Sequence, residues 1–142
     1  INTAANGDQG NDAFTWDSGN TDVPYASVSA DGTLVAFTSS ASNLVAGDTN
    51  SSGDIFIKNI LTGAIERVST DAAGNQVAGT ALNPLLTPDG NHIVITSDAD
   101  NLVAGDTDGE KDLFVKNLST GALLRLNGRL DRKLELRAQG DE

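Results

Sequence analysis

Val35 and Phe37 alternate with smaller or polar neighbours in "TLVAFTS" (33–39), and Ile93 and Ile95 do the same in "NHIVITS" (91–97). A period of two sends successive side chains to opposite faces of a sheet, so both stretches are predicted as central strands. Each follows a turn, "SADG" or "TPDG", in which Asp can bond its own backbone and Gly can take a positive φ. A first strand therefore enters at "YASV" (25–28) or "NPLL" (83–86), and a second leaves after the turn. A third is predicted at "DIFIKN" or "DLFVKN", and a fourth at "AIERVS" or "ALLRLN", after the turns "LTG" and "STG".

The pattern is written twice. Asp31, Asn43, Asp48, Asp54, Phe56, Gly63 and Arg67 recur 58 residues later as Asp89, Asn101, Asp106, Asp112, Phe114, Gly121 and Arg125. Four short antiparallel strands per repeat make a meander, and a repeated four-stranded meander is a β-propeller blade. The predicted fold is all-β, with two such blades per chain. The predicted organisation is an N-terminal linker and insertion at 1–24, blade 1 at 25–70, an interblade linker at 71–82, blade 2 at 83–127 and a non-repeat tail at 128–142.

The text "VSADGTLVAFTS…SNLVAGDTN…DIFIKNILTGAIERVS" resembles the TolB-type propeller repeat of secreted bacterial proteins. The likeness covers residues 25–70 and 83–127, and "NTAANGDQGN" near the N-terminus resembles the interblade linker "STDAAGNQVAG" (69–79). The chain thus reads as starting near the end of a fourth strand, with an extra "AFTWDSGNTDV" in its first linker. The resemblance implies a secreted or periplasmic location. It also implies a closed ring of several blades, and two blades cannot close one. The remainder must come from a longer parent chain or from copies associating head to tail until the rotation closes. Three copies would supply six blades, a ring size typical of TolB-like propellers, so a homotrimer is expected, with rings of two or four copies as the alternatives.

Composition narrows the classes of partner. The 142 residues suit one domain with its own core. Acidic residues outnumber basic ones 20 to 9, a formal charge of −11 that repels nucleic acid and anionic lipid and attracts cations. No cysteine is present, which excludes disulfides and thiolate metal sites. Methionine is absent even at position 1, as in a processed product or an internal piece of a larger coding sequence, and no apolar run is long enough to span a bilayer. The tail "GRLDRKLELRAQGDE" spaces Leu130, Leu134 and Leu136 as a helix would and matches neither repeat; it reads as a frayed or appended end or as a functional helix.

The doubled acidic loop between the second and third strands is the main candidate site. It offers Asp48, Asn50 and Asp54 in one copy and Asp106, Asp108 and Asp112 in the other. A hard cation such as calcium takes six to eight oxygen ligands, and alternating acidic positions in a turn bring several to one point. Calcium is accordingly the expected metal. The competing reading is that these residues form Asx turns, with Asp54 and Asp112 simply starting the third strand.

Enzyme motifs are sparse: no nucleophile elbow, phosphate-cradling Gly loop or His-rich zinc spacing is present. The single histidine, His92, stands where Leu34 stands in the first repeat, and reads as a partly buried structural residue or a weak candidate catalytic base. Trp16 and Tyr25 could staple a neighbouring copy or line an apolar site. Asn50 and Asn117 open short glycosylation-type triplets. The expected function is a calcium-binding propeller module acting as a binding or structural element. The alternative is a metal-dependent hydrolase, phosphotriesterase- or lactonase-like, in which a propeller-bound calcium would polarise a phosphoryl or carbonyl oxygen.

Overall fold

The computed structural model describes residues 3–11, 26–48, 52–103 and 110–126. The expected insertion with Trp16, Tyr25 at the start of blade 1, the loop positions Asn50, Asp106 and Asp108, and the tail at 128–142 lie outside them. The described residues form eight strands: β1 (Ala26–Val28), β2 (Leu34–Ser39), β3 (Asp54–Asn59), β4 (Ile65–Arg67), β5 (Ala81–Leu86), β6 (His92–Ser97), β7 (Asp112–Asn117) and β8 (Leu123–Arg125). They build two four-stranded antiparallel sheets, in the orders β1-β2-β3-β4 and β5-β6-β7-β8. Among the described residues there is no helix.

The turns form as their residues require. Gly32 and Gly90 hold φ of 74° and 75° between the first two strands of each blade, a conformation in which a Cβ would be strained. Beside them Asp31 Oδ1 accepts hydrogen bonds from the Thr33 amide at 2.9 Å and the Ser29 hydroxyl at 2.6 Å. Asp89 Oδ1 likewise accepts from the Asn91 amide at 2.9 Å and the Thr87 hydroxyl at 2.7 Å. One strand departs from the expectation: β5 starts at Ala81, ahead of "NPLL". Its register with β6 shifts between Leu82 and Leu85, with Asn83 at φ 57°. Asn83 and Pro84 together stand opposite the single residue Ile95, a bulge of one extra residue, and Pro84 has no amide hydrogen to place in a ladder.

Register assigns each blade a front and a back face. In blade 1, Val35 opposes Lys58 and Phe37 opposes Phe56 on the front; Ala36 opposes Ile57 and Thr38 opposes Ile55 on the back. In blade 2, Ile93 opposes Lys116, Ile95 opposes Phe114 and Ser97 opposes Asp112 on the front. The larger core lies where the back of blade 1 meets the front of blade 2, joining Ala36, Ile55 and Ile57 to Leu86, Ile93, Ile95 and Phe114. Hydrogen bonds cross the same seam, among them Ala30 amide to Pro88 carbonyl at 2.8 Å, Leu86 amide to Ser27 Oγ at 2.9 Å, and Ala81 amide to Gly53 carbonyl at 2.9 Å. On the front of blade 1, Ala41 and Leu44 of the β2–β3 loop pack with Phe37 and Phe56, whose rings are 5.8 Å apart. Truncating a buried phenylalanine such as Phe114 to alanine costs about 3–5 kcal/mol, so this seam holds the two repeats together.

Candidate functional site

Asp54 is the first residue of β3, fully buried on the front of blade 1. Its Oδ1 accepts a hydrogen bond from Ser69 Oγ at 2.8 Å, and Ser69 Oγ accepts the Ile55 amide at 3.1 Å. Arg67 lies opposite Phe56 in the β3–β4 ladder, which puts its side chain on the face that carries Asp54. Arg67 Nη1 is 3.8 Å from Asp48 Oδ1 and donates to Gln76 Oε1 at 2.8 Å. Burial pushes the Asp48 carboxyl above the usual carboxylate range, while the Arg67 charge and a side-chain hydrogen bond with Asp54 pull the other way. The loop thus brings two buried carboxyl groups together and faces them with one guanidinium.

Blade 2 repeats the plan with a closer ion pair. Asp112 opens β7, is buried, and has its Oδ2 at 2.7 Å from Arg125 Nη2. The approach allows charge pairing without the alignment of a hydrogen bond at Oδ2. Of the six loop positions the sequence singles out, Asp48 and Asp112 pair with arginines from the fourth strands, and Asp54 shares a face with Arg67. That pairing offsets the charge of a buried carboxylate, which is costly unless compensated. Among the described residues no group of three or more His, Asp or Glu side chains converges as a metal cluster.

His92 opens β6, opposite Asn117. Its backbone closes the preceding turn, with its amide donating to Thr87 Oγ1 at 3.1 Å and its carbonyl accepting from the Thr87 amide at 2.9 Å. Alternation from His92 to Ser97, which opposes Asp112, puts His92 and Asp112 on opposite faces of blade 2. The described acidic loop positions are not gathered around this histidine.

A second constellation escaped the reading of the sequence. Lys58 and Lys116 occupy core-phase positions of β3 and β7, opposite Val35 and Ile93. Lys58 Nζ donates to the Thr3 carbonyl at 2.8 Å and to the Thr3 hydroxyl; Lys116 Nζ donates to the Thr70 carbonyl at 2.9 Å and to the Thr70 hydroxyl. Asn43 accepts from the Asn11 amide at 2.8 Å and donates to the Gln9 carbonyl at 2.8 Å. Asn101 accepts from the Ala78 amide at 2.8 Å and donates to the Gln76 carbonyl at 3.0 Å. Residues 3–11 and 70–78 are thus two copies of one strap, each closed by a bridge, Thr3 to Gln9 or Thr70 to Gln76, and each fastened to the blade that follows it. The available signal was a lysine recurring at a core-phase position in both repeats.

Structural comparison places the architecture among known folds. A putative TolB from Agrobacterium tumefaciens superposes with a TM-score of 0.50 at 16% identity, over 78% of this chain and 32% of that one. The chain has a TolB-like propeller fold. TolB from Acinetobacter baumannii matches with a TM-score of 0.48 at 18% identity, over 75% of this chain and 21% of that one. This chain therefore spans about a third and about a fifth of the lengths of these TolB chains. No protein-family model and no curated protein sequence matches it. At such identities the likeness concerns the fold alone. Among the described residues no helix is long and apolar enough to cross a membrane.

Proposed function

We propose that the chain is a propeller module with a binding or structural role, two blades that associate with further copies into a closed ring, three copies giving six blades. The observation that carries this reading is the contrast between the two back faces: Ile55 and Val68 of blade 1 are buried, while their counterparts Leu113 and Leu126 are exposed. A sheet face rich in exposed leucine calls for a cover. Calcium belongs to the proposal as a stabiliser of the loops at 48–54 and 106–112, where Asn50, Asp106 and Asp108 would add oxygens to those that face the arginines. It would also offset the repulsion among copies that each carry −11.

The test is the solution mass by light scattering, with calcium and with a chelator. A trimer of the 14.6 kDa chain is expected in calcium. A monomeric mass at micromolar concentration in both conditions overturns the ring.

A further inference from the structure

Resting on the ring reading above, we propose that the back of blade 2 receives the front of blade 1 from a second copy, and that Arg125 then donates to Gln9 of that copy.

The back of blade 2 is exposed in the single chain, and the front of blade 1 is exposed along β1 at Val28, its Phe37 and Phe56 lying buried beneath Ala41 and Leu44. On the back of blade 2, Leu85 opposes Val94, Leu124 opposes Val115, and the Leu126 amide bonds the Leu113 carbonyl, so the four leucines share one face. They are 57%, 60%, 41% and 40% exposed for Leu85, Leu124, Leu126 and Leu113. The positions 58 residues earlier are Ser27, Glu66, Val68 and Ile55, and the latter two are buried where blade 1 meets blade 2. Two polar positions of the covered face thus become leucines on the exposed one, the reverse of what water would favour. On the front of blade 1, Val28 is 54% exposed, whereas its counterpart Leu86 is 5% exposed because blade 1 covers it.

The occupant follows from the contact already made inside the chain. That contact sets a back face against a front face, so it is heterologous, and repeating it needs another front face with the same fittings. Blade 1 has them: its own strap at 3–11 is held by Lys58 and Asn43 as the strap at 70–78 is held by Lys116 and Asn101. Within the chain, Arg67, on the front of blade 1, reaches Gln76 on the strap that leads to blade 2 and is fastened to it. The strap bridges equate Gln9 with Gln76, and the repeat equates Arg125 with Arg67. Repeating the operation from one copy to the next therefore sets Arg125 against the Gln9 of its neighbour.

The experiment uses two single variants of the full chain, Leu113→Glu on the back of blade 2 and Val28→Glu on the front of blade 1. Both side chains are exposed in the single chain, and unfolding curves verify that each variant folds. Each alone should be monomeric, and an equimolar mixture should give a two-chain species, because the intact back of one variant meets the intact front of the other. Arg125→Ala and Gln9→Ala should each weaken association about fivefold to tenfold, and the double variant no further than either. A wild-type chain that stays monomeric overturns the ring and this interface together. A wild-type assembly that survives Val28→Glu, or a mixture that stays monomeric, overturns this interface and leaves the ring to some other contact. Independent effects of Arg125→Ala and Gln9→Ala overturn the assigned bond.

Discussion

Lys116 Nζ, on the third strand of blade 2, donates to the carbonyl oxygen of Thr70 at 2.9 Å, on the segment that has just left blade 1. The side chain is buried, and burial pushes its amine below the ordinary lysine range, with Glu66 and Asp71 pulling the other way. A buried amine is tolerated because carbonyl and hydroxyl oxygens surround it. Lys116→Met keeps the length of the side chain and leaves the Thr70 carbonyl without this donor, so urea unfolding should show a loss of about 1–3 kcal/mol.

The equivalent bond in blade 1 should respond differently. Lys58 holds Thr3, near the N-terminus, so its loss releases a strap rather than a connection between blades. Asn43→Asp places a second acceptor against the Gln9 carbonyl, which now receives the Asn43 amide at 2.8 Å. Each change should raise protease cleavage within residues 3–11 while moving the global unfolding midpoint by less than Lys116→Met does. Equal loss of global stability for Lys58→Met and Lys116→Met would mean that the two straps act alike.

Two aspartates of blade 1 should titrate in opposite directions. Asp31 is held down at about 2, first by the Ser29 hydroxyl and then by the amide and hydroxyl of Thr33. Its folded value lies below the ordinary 3.8, so its contribution to stability is present above that value and is lost as pH falls through about 2. Asp48 is shifted upward by burial, so its ionised form disfavours folding, and that cost is relieved as pH falls through the raised folded value. Carboxyl NMR titration should find Asp48 taking its proton first and Asp31 still ionised at pH 3.8. Coincident titration of the two would contradict the turn geometry and the burial of Asp48.

Asp54 and Asp112 test what the arginines do. Asp54→Ala removes the acceptor for Ser69 Oγ and one carboxyl on the face that carries Arg67, and Asp112→Ala removes the partner of Arg125 at 2.7 Å. Each should cost about 1–3 kcal/mol, with the lower part of the range for Asp112, whose arginine partner is the more exposed of the two. Asp54→Asn, which keeps an oxygen for Ser69, should recover part of the loss. Chemical denaturation of the three variants reads these differences.

Much of the fold was legible because the strands and turns are decided locally. Alternation at Val35 and Phe37 marked β2, and Asp31 with Gly32 marked its turn. What covers each face was not legible, since Ile55 and Leu113 are similar residues at equivalent positions and only the neighbouring blade makes one buried and the other exposed. The acidic loop was legible only as carboxylates in sequence; the arginines that share a face with Asp54 and Asp112 come from strands 13 residues further on, and spacing within the loop does not announce them. The lysine clamps were hidden by type, because a lysine in a strand reads as solvent-facing unless its phase against Val35 or Ile93 is followed.

The remaining prediction concerns the metal. If Asn50, Asp106 and Asp108 complete oxygen sites with the loop carboxylates, calcium binds the folded chain and not the unfolded one, and stabilises it by mass action. At a hundredfold excess over the dissociation constant the gain is about 2.7 kcal/mol, which a thermal melt resolves. Arg67 and Arg125 compete for the described carboxylates, so removing the chelating oxygens should matter more than removing the arginine partners: Asp106→Asn combined with Asp108→Asn should abolish the calcium-induced shift in blade 2, and Asp112→Asn should only weaken it. A melting curve that is the same in calcium and in chelator would remove the metal altogether. The doubled loop would then stand on its arginine pairs and Asx turns, and the ring would have to overcome its charge by apolar contact at Leu113, Leu124 and Val28 alone.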